Sequence, residues 1–223
     1  MKAPVLFVNF KTYAQATGEN AVKLAGLAEE AASMNGATVC LVVQATDIST
    51  VANSVSLPVY AQHVDPITYG KHAGHVLPEA VKTAGAVGTV LNHPEREMRD
   101  EDLGIAVERA KDAGLEVLVC AASISRAKTI AQLSPDLISI EIPELIGGNV
   151  SISEAKPGLI TNAVRAIKQV NSEIQVITGA GIRGTSDVKR AIELGVEGVF
   201  VSNAIVTSPD PKAAIARLLA GFH

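Results

Sequence analysis

The stretch Asp136-Leu-Ile-Ser-Ile-Glu-Ile-Pro-Glu-Leu-Ile-Gly-Gly-Asn149 takes an apolar segment directly into a loop that contains proline and glycine. Its first part, Leu137 to Ile140, is short, contains β-branched residues and is bounded by turn residues, which is typical of a parallel strand covered on both faces. One carboxylate, Glu141, stands at the carboxyl end of this strand. Because that end of a parallel sheet carries the chemistry in α/β proteins, we predict a functional role for Glu141. The alternative is a solvated acid at a strand end.

The loop after Glu141 is apolar where solvent would favour polar residues. Residues 142–146 include three apolar side chains, and Gly147 and Gly148 then allow the chain to reverse direction. This composition predicts a lid that opens and closes over a site.

Similar strand-then-helix units run along the whole chain. Each pairs a short apolar run with a segment in which apolar residues recur at helical spacing. The predicted units are residues 5–8 with 20–30, 38–43 with 47–53, 58–61 with 78–83, 87–91 with 102–113, 116–120 with 125–132, 137–141 with 157–170, 174–178 with 186–194, and 198–201 with 211–219.

Eight such units can form either an open doubly wound sheet or a closed (β/α)8 barrel. Because the units fill the chain from end to end without an added domain, we predict an α/β protein with one (β/α)8 barrel domain over residues 1–223.

Composition excludes several functional classes. The net charge of −4, the pI of 5.7 and the 3% aromatic content give no electrostatic or stacking surface for nucleic acid. Apolar runs are too short to span a membrane, and the first residues enter a strand pattern, so we expect a soluble, cytoplasmic protein. Cys40 and Cys120 lie in apolar runs without metal-ligand spacing, and we expect reduced core residues and no metal site.

The strand ends collect chemically active residues on one predicted face. An acid that takes a proton, a neutral imidazole that polarises a carbonyl and an ammonium that stabilises negative charge together make a proton-transfer site. Small-residue loops after strands seven and eight, the latter at Ser202 to Ala204, suit a cradle of backbone amides for phosphate. A helix N-terminus after strand four, which Pro94 and Glu95 suggest, would disfavour the charged form of His93, so we expect a neutral imidazole. The residues that follow the strands are Asn9 and Lys11, His93, Glu141, Gly179 and Gly181, and Ser202 and Asn203.

Each of these residues also has a structural explanation. Lys11 could be an ordinary surface lysine, His93 could be a strand-end histidine bonded to backbone, and the glycine loops could be plain turns. Their coincidence on one predicted face favours function.

Four motifs carry a resemblance to a known family, and the likeness extends over essentially the whole chain. They are Asn9-Phe-Lys11, Asn92-His-x-Glu-Arg96, Glu141-x-Pro-Glu-Leu-Ile-Gly147 and Gly179-Ala-Gly-Ile182. Their order and spacing resemble those of triosephosphate isomerases, which have the (β/α)8 fold known as the TIM barrel. The segment Gly74-His-Val-Leu-Pro-Glu79 further resembles the short archaeal-type branch of that family.

The resemblance implies an enzyme of glycolysis and gluconeogenesis that interconverts dihydroxyacetone phosphate and D-glyceraldehyde 3-phosphate through an enediolate, without a cofactor. It makes Glu141 the base and His93 the electrophile, with Asn9 and Lys11 in contact with substrate. It assigns phosphate binding to the amides of Ile146, Gly181, Ser202 and Asn203. It also implies a homo-oligomer, dimer or tetramer, for which we predict an interface at residues 62–76.

Three departures from the family pattern bear on the base and its loop. Pro94 stands where the family usually has a serine that holds the resting glutamate, Ile142 replaces a proline, and Gly148-Asn149 replaces Thr-Gly. These changes remove no catalytic group, but they alter what holds Glu141 at rest and the stiffness of the loop.

Two other functions remain open from the residues alone. One is another phosphate-binding barrel enzyme, such as a sugar-phosphate isomerase of amino-acid biosynthesis, which would need a different acid and base set. The other is a catalytically silent barrel that binds phosphorylated metabolites or serves in an assembly.

Overall fold

The structure is a computed structural model that describes residues 4–142, 153, 157–179 and 181–223. Eight parallel strands close into a barrel in sequence order, because β1 pairs with both β2 and β8. The predicted (β/α)8 architecture is therefore confirmed. The strands are β1 Val5–Asn9, β2 Thr38–Val43, β3 Val59–Ala61, β4 Gly88–Leu91, β5 Glu116–Ala121, β6 Leu137–Ile140, β7 Gln175–Thr178 and β8 Gly198–Val201.

The helices of the described residues lie along the chain between these strands. α1 and the last helix also pack against each other, where Lys212 Nζ lies 2.6 Å from Glu30 Oε2. The helices are α1 Glu19–Asn35, α2 Ile48–Ala52, α3 Pro78–Thr83, α4 Asp100–Asp112, α5 Ile124–Ala131, α6 Pro157–Val170, α7 Thr185–Glu193, α8 Asn203–Val206 and α9 Pro211–Leu219, with 3-10 turns at Ala14–Ala16 and Ala220–Phe222.

The strands are apolar on both faces because each face has its own core. Alternate residues such as Val5 and Phe7 pack with one another in a core that fills the barrel, whereas Leu6 and Val8 pack in a second core together with helix residues. A strand buried on both sides reads as a continuous apolar run, as predicted. In β6, Leu137 belongs to the inner core.

The sequence prediction was wrong about two segments after strands. Residues Ser202 to Ala204 were predicted as a loop, but α8 begins at Asn203 because the amides of Ile205 and Val206 bond to the Ser202 carbonyl and both side chains are buried. The predicted helix start at Pro94 is also wrong, since α4 begins at Asp100.

Apart from Ile142, which is buried, the predicted lid, including Ile146, lies outside the described residues.

Candidate active site

One cleft opens at the carboxyl ends of the strands, and the predicted site residues meet in it. The space within it, open solvent included, is about 580 Å³. Of the predicted residues that the structure describes, those lining the cleft are Asn9, Lys11, His93, Glu141, Gly181, Ser202 and Asn203.

Lys11 is held by its backbone in a conformation that lysine rarely adopts. Its φ is 47°, and its amide donates to Asn9 Oδ1 at 3.0 Å. Its carbonyl accepts a hydrogen bond from Gln62 Nε2 at 2.8 Å. Such local strain persists only where surrounding contacts over-determine it. Asn9, which is buried at the end of β1, therefore fixes the direction in which Lys11 leaves the barrel.

The Lys11 ammonium forms an ion pair with Glu95, from the loop after β4. The Glu95 side chain is 58% exposed, whereas that of Lys11 is 17% exposed. The pair joins two loops that are far apart in sequence. Since an exposed carboxylate keeps much of its hydration, it can release the ammonium to a ligand at small cost.

The loop that carries His93 is shaped by Asn92. Asn92 has a φ of 56°, donates through Nδ2 to the Cys120 carbonyl at 2.9 Å, and accepts from the Met98 amide at 2.9 Å. These bonds tie the loop to β5 and delay the start of α4, which explains why no helix begins at Pro94. His93 is thereby placed over the carboxyl end of the barrel.

His93 is a neutral imidazole with a defined tautomer. Burial lowers its pKa to about 4, with Glu95 opposing that shift and Lys11 adding to it. Nδ1 accepts a hydrogen bond from the Glu95 amide at 3.1 Å, so the ring proton lies on Nε2 and can be donated. The neutral form agrees with the sequence-based prediction. Its cause does not, because burial, rather than a helix N-terminus, disfavours the cation.

We expect His93 to remain neutral across the physiological range. In a two-dimensional NMR titration of ring nitrogens, its protonation midpoint should lie near the pKa of about 4, below the ordinary value for histidine. A His93 cation at pH 7 in the well-folded protein would contradict the assignment.

Glu141 is a buried carboxylate at the end of β6. It is 4% exposed, and its Oε1 accepts a hydrogen bond of 2.6 Å from the Ser139 hydroxyl. Burial raises the pKa of Glu141 to about 8, while the Ser139 hydrogen bond and the charge of Lys11 act in the opposite direction. A carboxyl group with a pKa near neutrality can both accept and return a proton at physiological pH.

The glycine after β7 gives the carboxylate its space. A Cβ on Gly179 would lie 1.8 Å from the Phe200 carbonyl oxygen and 2.8 Å from Glu141 Oε1. Gly181 has a φ of 76°, a left-handed conformation that glycine adopts without strain. The loop is therefore built on glycine for two different reasons, namely close approach at 179 and backbone direction at 181.

Ser202 lies on the side of the cleft formed by the loops after β7 and β8. Its hydroxyl is buried, and within the described ranges it has no hydrogen-bond partner. Buried polar atoms in native proteins are normally paired, so this hydroxyl can serve a ligand. In barrel enzymes this pair of loops frequently binds phosphate.

Sequence reasoning missed three residues near the site. Tyr13 and Arg183 also line the cleft, and Ser139 contacts Glu141. Arg183 directly follows the glycine loop, and a cation beside a predicted phosphate site was a usable signal. Ser139 stands two positions before Glu141, and in a strand that spacing places both side chains on one face.

The described residues contain neither a candidate metal site nor a candidate membrane-spanning helix. Within residues 4–142, 153, 157–179 and 181–223, no group of three or more His, Cys, Asp or Glu side chains could hold a metal ion. None of the helices in those ranges has the length and apolarity needed to cross a membrane.

A (β/α)8 barrel whose cleft joins a buried carboxylate, a neutral imidazole and an ammonium defines a class of enzymes that move protons on small ligands. The sequence model described as "Triosephosphate isomerase" matches residues 4–219. The chain belongs to the triosephosphate isomerase family.

Similar curated proteins come from archaea and match almost end to end. The triosephosphate isomerase of Methanoculleus marisnigri is 42% identical over 219 residues, covering 98% of this chain and 99% of that protein. That of Caldivirga maquilingensis is 43% identical over 218 residues, covering 98% and 97%. That of Methanocaldococcus jannaschii is 39% identical over 215 residues, covering 96% and 98%.

Proposed function

We propose that Glu141, His93, Lys11 and Asn9 carry out the isomerisation of triose phosphate in this cleft. Membership of the family makes the interconversion of dihydroxyacetone phosphate and D-glyceraldehyde 3-phosphate the reaction of this chain. Glu141 removes a proton from the carbon next to the carbonyl and returns it to the neighbouring carbon. The raised pKa of Glu141, about 8, supports this role because the group exchanges protons near neutral pH.

His93 and Lys11 act on the oxygens of the substrate. The Nε2 proton of neutral His93 is donated to a substrate oxygen, so that negative charge developing there is stabilised without a cationic acid. The Lys11 ammonium adds electrostatic stabilisation once substrate displaces Glu95. Asn9 keeps the Lys11 backbone in its strained conformation and lines the same cleft.

The phosphate group is held by the loops after β7 and β8. Gly181, Ser202 and Asn203 line that side of the cleft, and we propose that their amides bind phosphate oxygens, with the unpartnered Ser202 hydroxyl as a further donor. The amide of Ile146, outside the described residues, is assigned to the phosphate through the family resemblance. No cofactor takes part in this scheme.

The observation that carries the proposal is the meeting of Glu141, His93 and Lys11 in one cleft. The test is a coupled assay that starts from either triose phosphate and follows the other. We expect turnover in both directions after treatment with a chelator. Absence of turnover by well-folded protein would favour the catalytically silent barrel.

We propose that the protein is a homo-oligomer that uses residues 62–76. The Asp65 amide donates to the Val76 carbonyl at 2.9 Å, and the Val76 amide donates to Asp65 Oδ2 at 2.6 Å, so these two bonds close the base of the segment. Residues 68–75, which lie between Asp65 and Val76, are all exposed, and Tyr69 is 74% exposed. A projecting segment with an exposed aromatic side chain fits a contact with a second copy of the chain.

Light scattering at micromolar concentration is expected to return a dimer or a tetramer. Tyr69→Asp should shift that mass towards the monomer, because a charge would be buried at the interface. Ile105→Asp, at an exposed apolar residue on α4, is the matched control. A parent protein that remains monomeric would refute this proposal.

We propose a single domain over residues 1–223. The packing of α9 against α1 brings the two ends of the chain together on one barrel, which supports this proposal.

We also propose a cytoplasmic location. Cys40 and Cys120 are both buried free thiols, as is usual where the surroundings are reducing.

A further inference from the structure

We propose that Ser139 is a positioning residue for Glu141: its hydroxyl holds Oε1 of the catalytic carboxylate inside the barrel and leaves Oε2 to take the proton. The inference rests on the proposed role of Glu141 as the base. Its geometric basis is the 2.6 Å hydrogen bond from Ser139 Oγ to Glu141 Oε1, between two buried side chains of one strand.

Ser139 is a polar residue on an apolar face. It shares the inward direction of Leu137, which lies in the core that fills the barrel, and its neighbours in register on β5 and β7 are Cys120 and Ile177. An unpaired hydroxyl at such a place would be costly. Glu141 supplies the acceptor, so the serine and the carboxylate satisfy each other.

The position of the carboxylate is bounded on a second side. Glu141 Oε1 would lie 2.8 Å from a Cβ on residue 179, and only glycine leaves that space. Pro94, in the loop after β4, has no side-chain hydrogen-bond donor with which to hold the carboxylate. A donor two residues before the base, on the same strand, performs that task from within β6.

The hydrogen bond also favours the charged form of the base. Burial raises the pKa of Glu141, and the Ser139 hydroxyl lowers it, as does Lys11. Among the residues that the structure describes, Tyr13, His93 and Arg183 also line this cleft, and Cys120 on β5 has its pKa raised by burial and by Glu141. Loss of the hydroxyl therefore shifts the balance towards protonated Glu141.

The test is the pH profile of kcat/KM, because its acidic limb reports the base in the free enzyme. For Ser139→Ala we expect the acidic limb to move to higher pH by about one unit, a roughly tenfold change in proton affinity. At neutral pH kcat should fall by about tenfold for the same reason, with recovery as the pH rises. KM should stay near that of the parent, since the phosphate loops are untouched.

Two matched variants separate positioning from packing. Cys120→Ala removes one buried heteroatom from the register partner of Ser139 and should leave the acidic limb in place. Ser139→Thr keeps the hydroxyl and should restore the limb towards the parent. The inference is overturned if Ser139→Ala leaves the limb unmoved, if Cys120→Ala moves it as far, or if folded Ser139→Thr behaves like Ser139→Ala.

A second readout does not depend on turnover. The infrared carboxyl band of Glu141, identified as the band lost in Glu141→Gln, can be titrated in the unliganded protein, and its midpoint should rise in Ser139→Ala. If the parent lacks isomerase activity, the proposed function fails while this titration still decides the Ser139 inference. If the parent is active and the midpoint does not move, only the inference fails.

Discussion

Glu141→Ala is expected to lower kcat by at least the roughly 10²–10⁴ typical of a lost general base, with the barrel still folded. The reason is that Glu141 is the buried carboxylate that lines the cleft and has a pKa of about 8. The measurement is turnover in the coupled assay, together with thermal unfolding to show that the protein is intact.

Two further variants make this result specific to the loss of the base. Glu141→Gln keeps the volume of the side chain and an oxygen that can accept from Ser139, but it cannot act as a base, so it should lose activity as the alanine variant does. Glu108→Ala removes an exposed acid from α4 and should remain active. Near-parental turnover in Glu141→Gln would remove Glu141 from the mechanism.

Lys11→Met is expected to lower kcat/KM by roughly 10²–10³, as when one donor to a developing oxyanion is removed. Methionine has a similar length without the charge. Stability should change little because the Glu95 partner is 58% exposed and is left in contact with water rather than buried.

The matched control is Lys23→Met, since Lys23 is an exposed lysine on α1. Lys23→Met removes the same positive charge as Lys11→Met, so it controls for any effect of net charge on the encounter with substrate. Its kcat/KM should stay close to that of the parent. If Lys11→Met retains activity within a few-fold of Lys23→Met, the ammonium is not part of the charge stabilisation.

The order of the strands and the location of the site could be predicted because they depend on local patterns. Buried parallel strands are continuous apolar runs, and the residue after each run stands at the carboxyl end of the barrel. Glu141, His93 and Lys11 were found in this way. Boundaries were less accurate where side-chain bonds override local preference, as at Asn92, whose contacts with Cys120 and Met98 displace the start of α4.

Some features of the site depend on residues that are distant in sequence. Lys11 meets Glu95 only when β1 and β4 contribute to the same barrel face. Neither sequence motif indicates how far apart the two side chains lie in space. The cause of the lowered pKa of His93 is equally non-local. A local pattern suggested a helix dipole, whereas the burial that lowers this pKa arises from the surrounding fold.

By itself the sequence determined the eight repeating units, the face on which the polar strand-end residues gather and the motifs that resemble the family. Only the tertiary structure decided which nitrogen of His93 carries the proton, that Gly179 leaves room for an oxygen of Glu141, and that Ser139 bonds to that same oxygen. The physical reason is the distance along the chain between the residues that determine each feature. Strand and helix patterns arise from neighbours along the chain, but proton positions and carboxylate orientation are set by contacts and burial that exist only after the barrel closes.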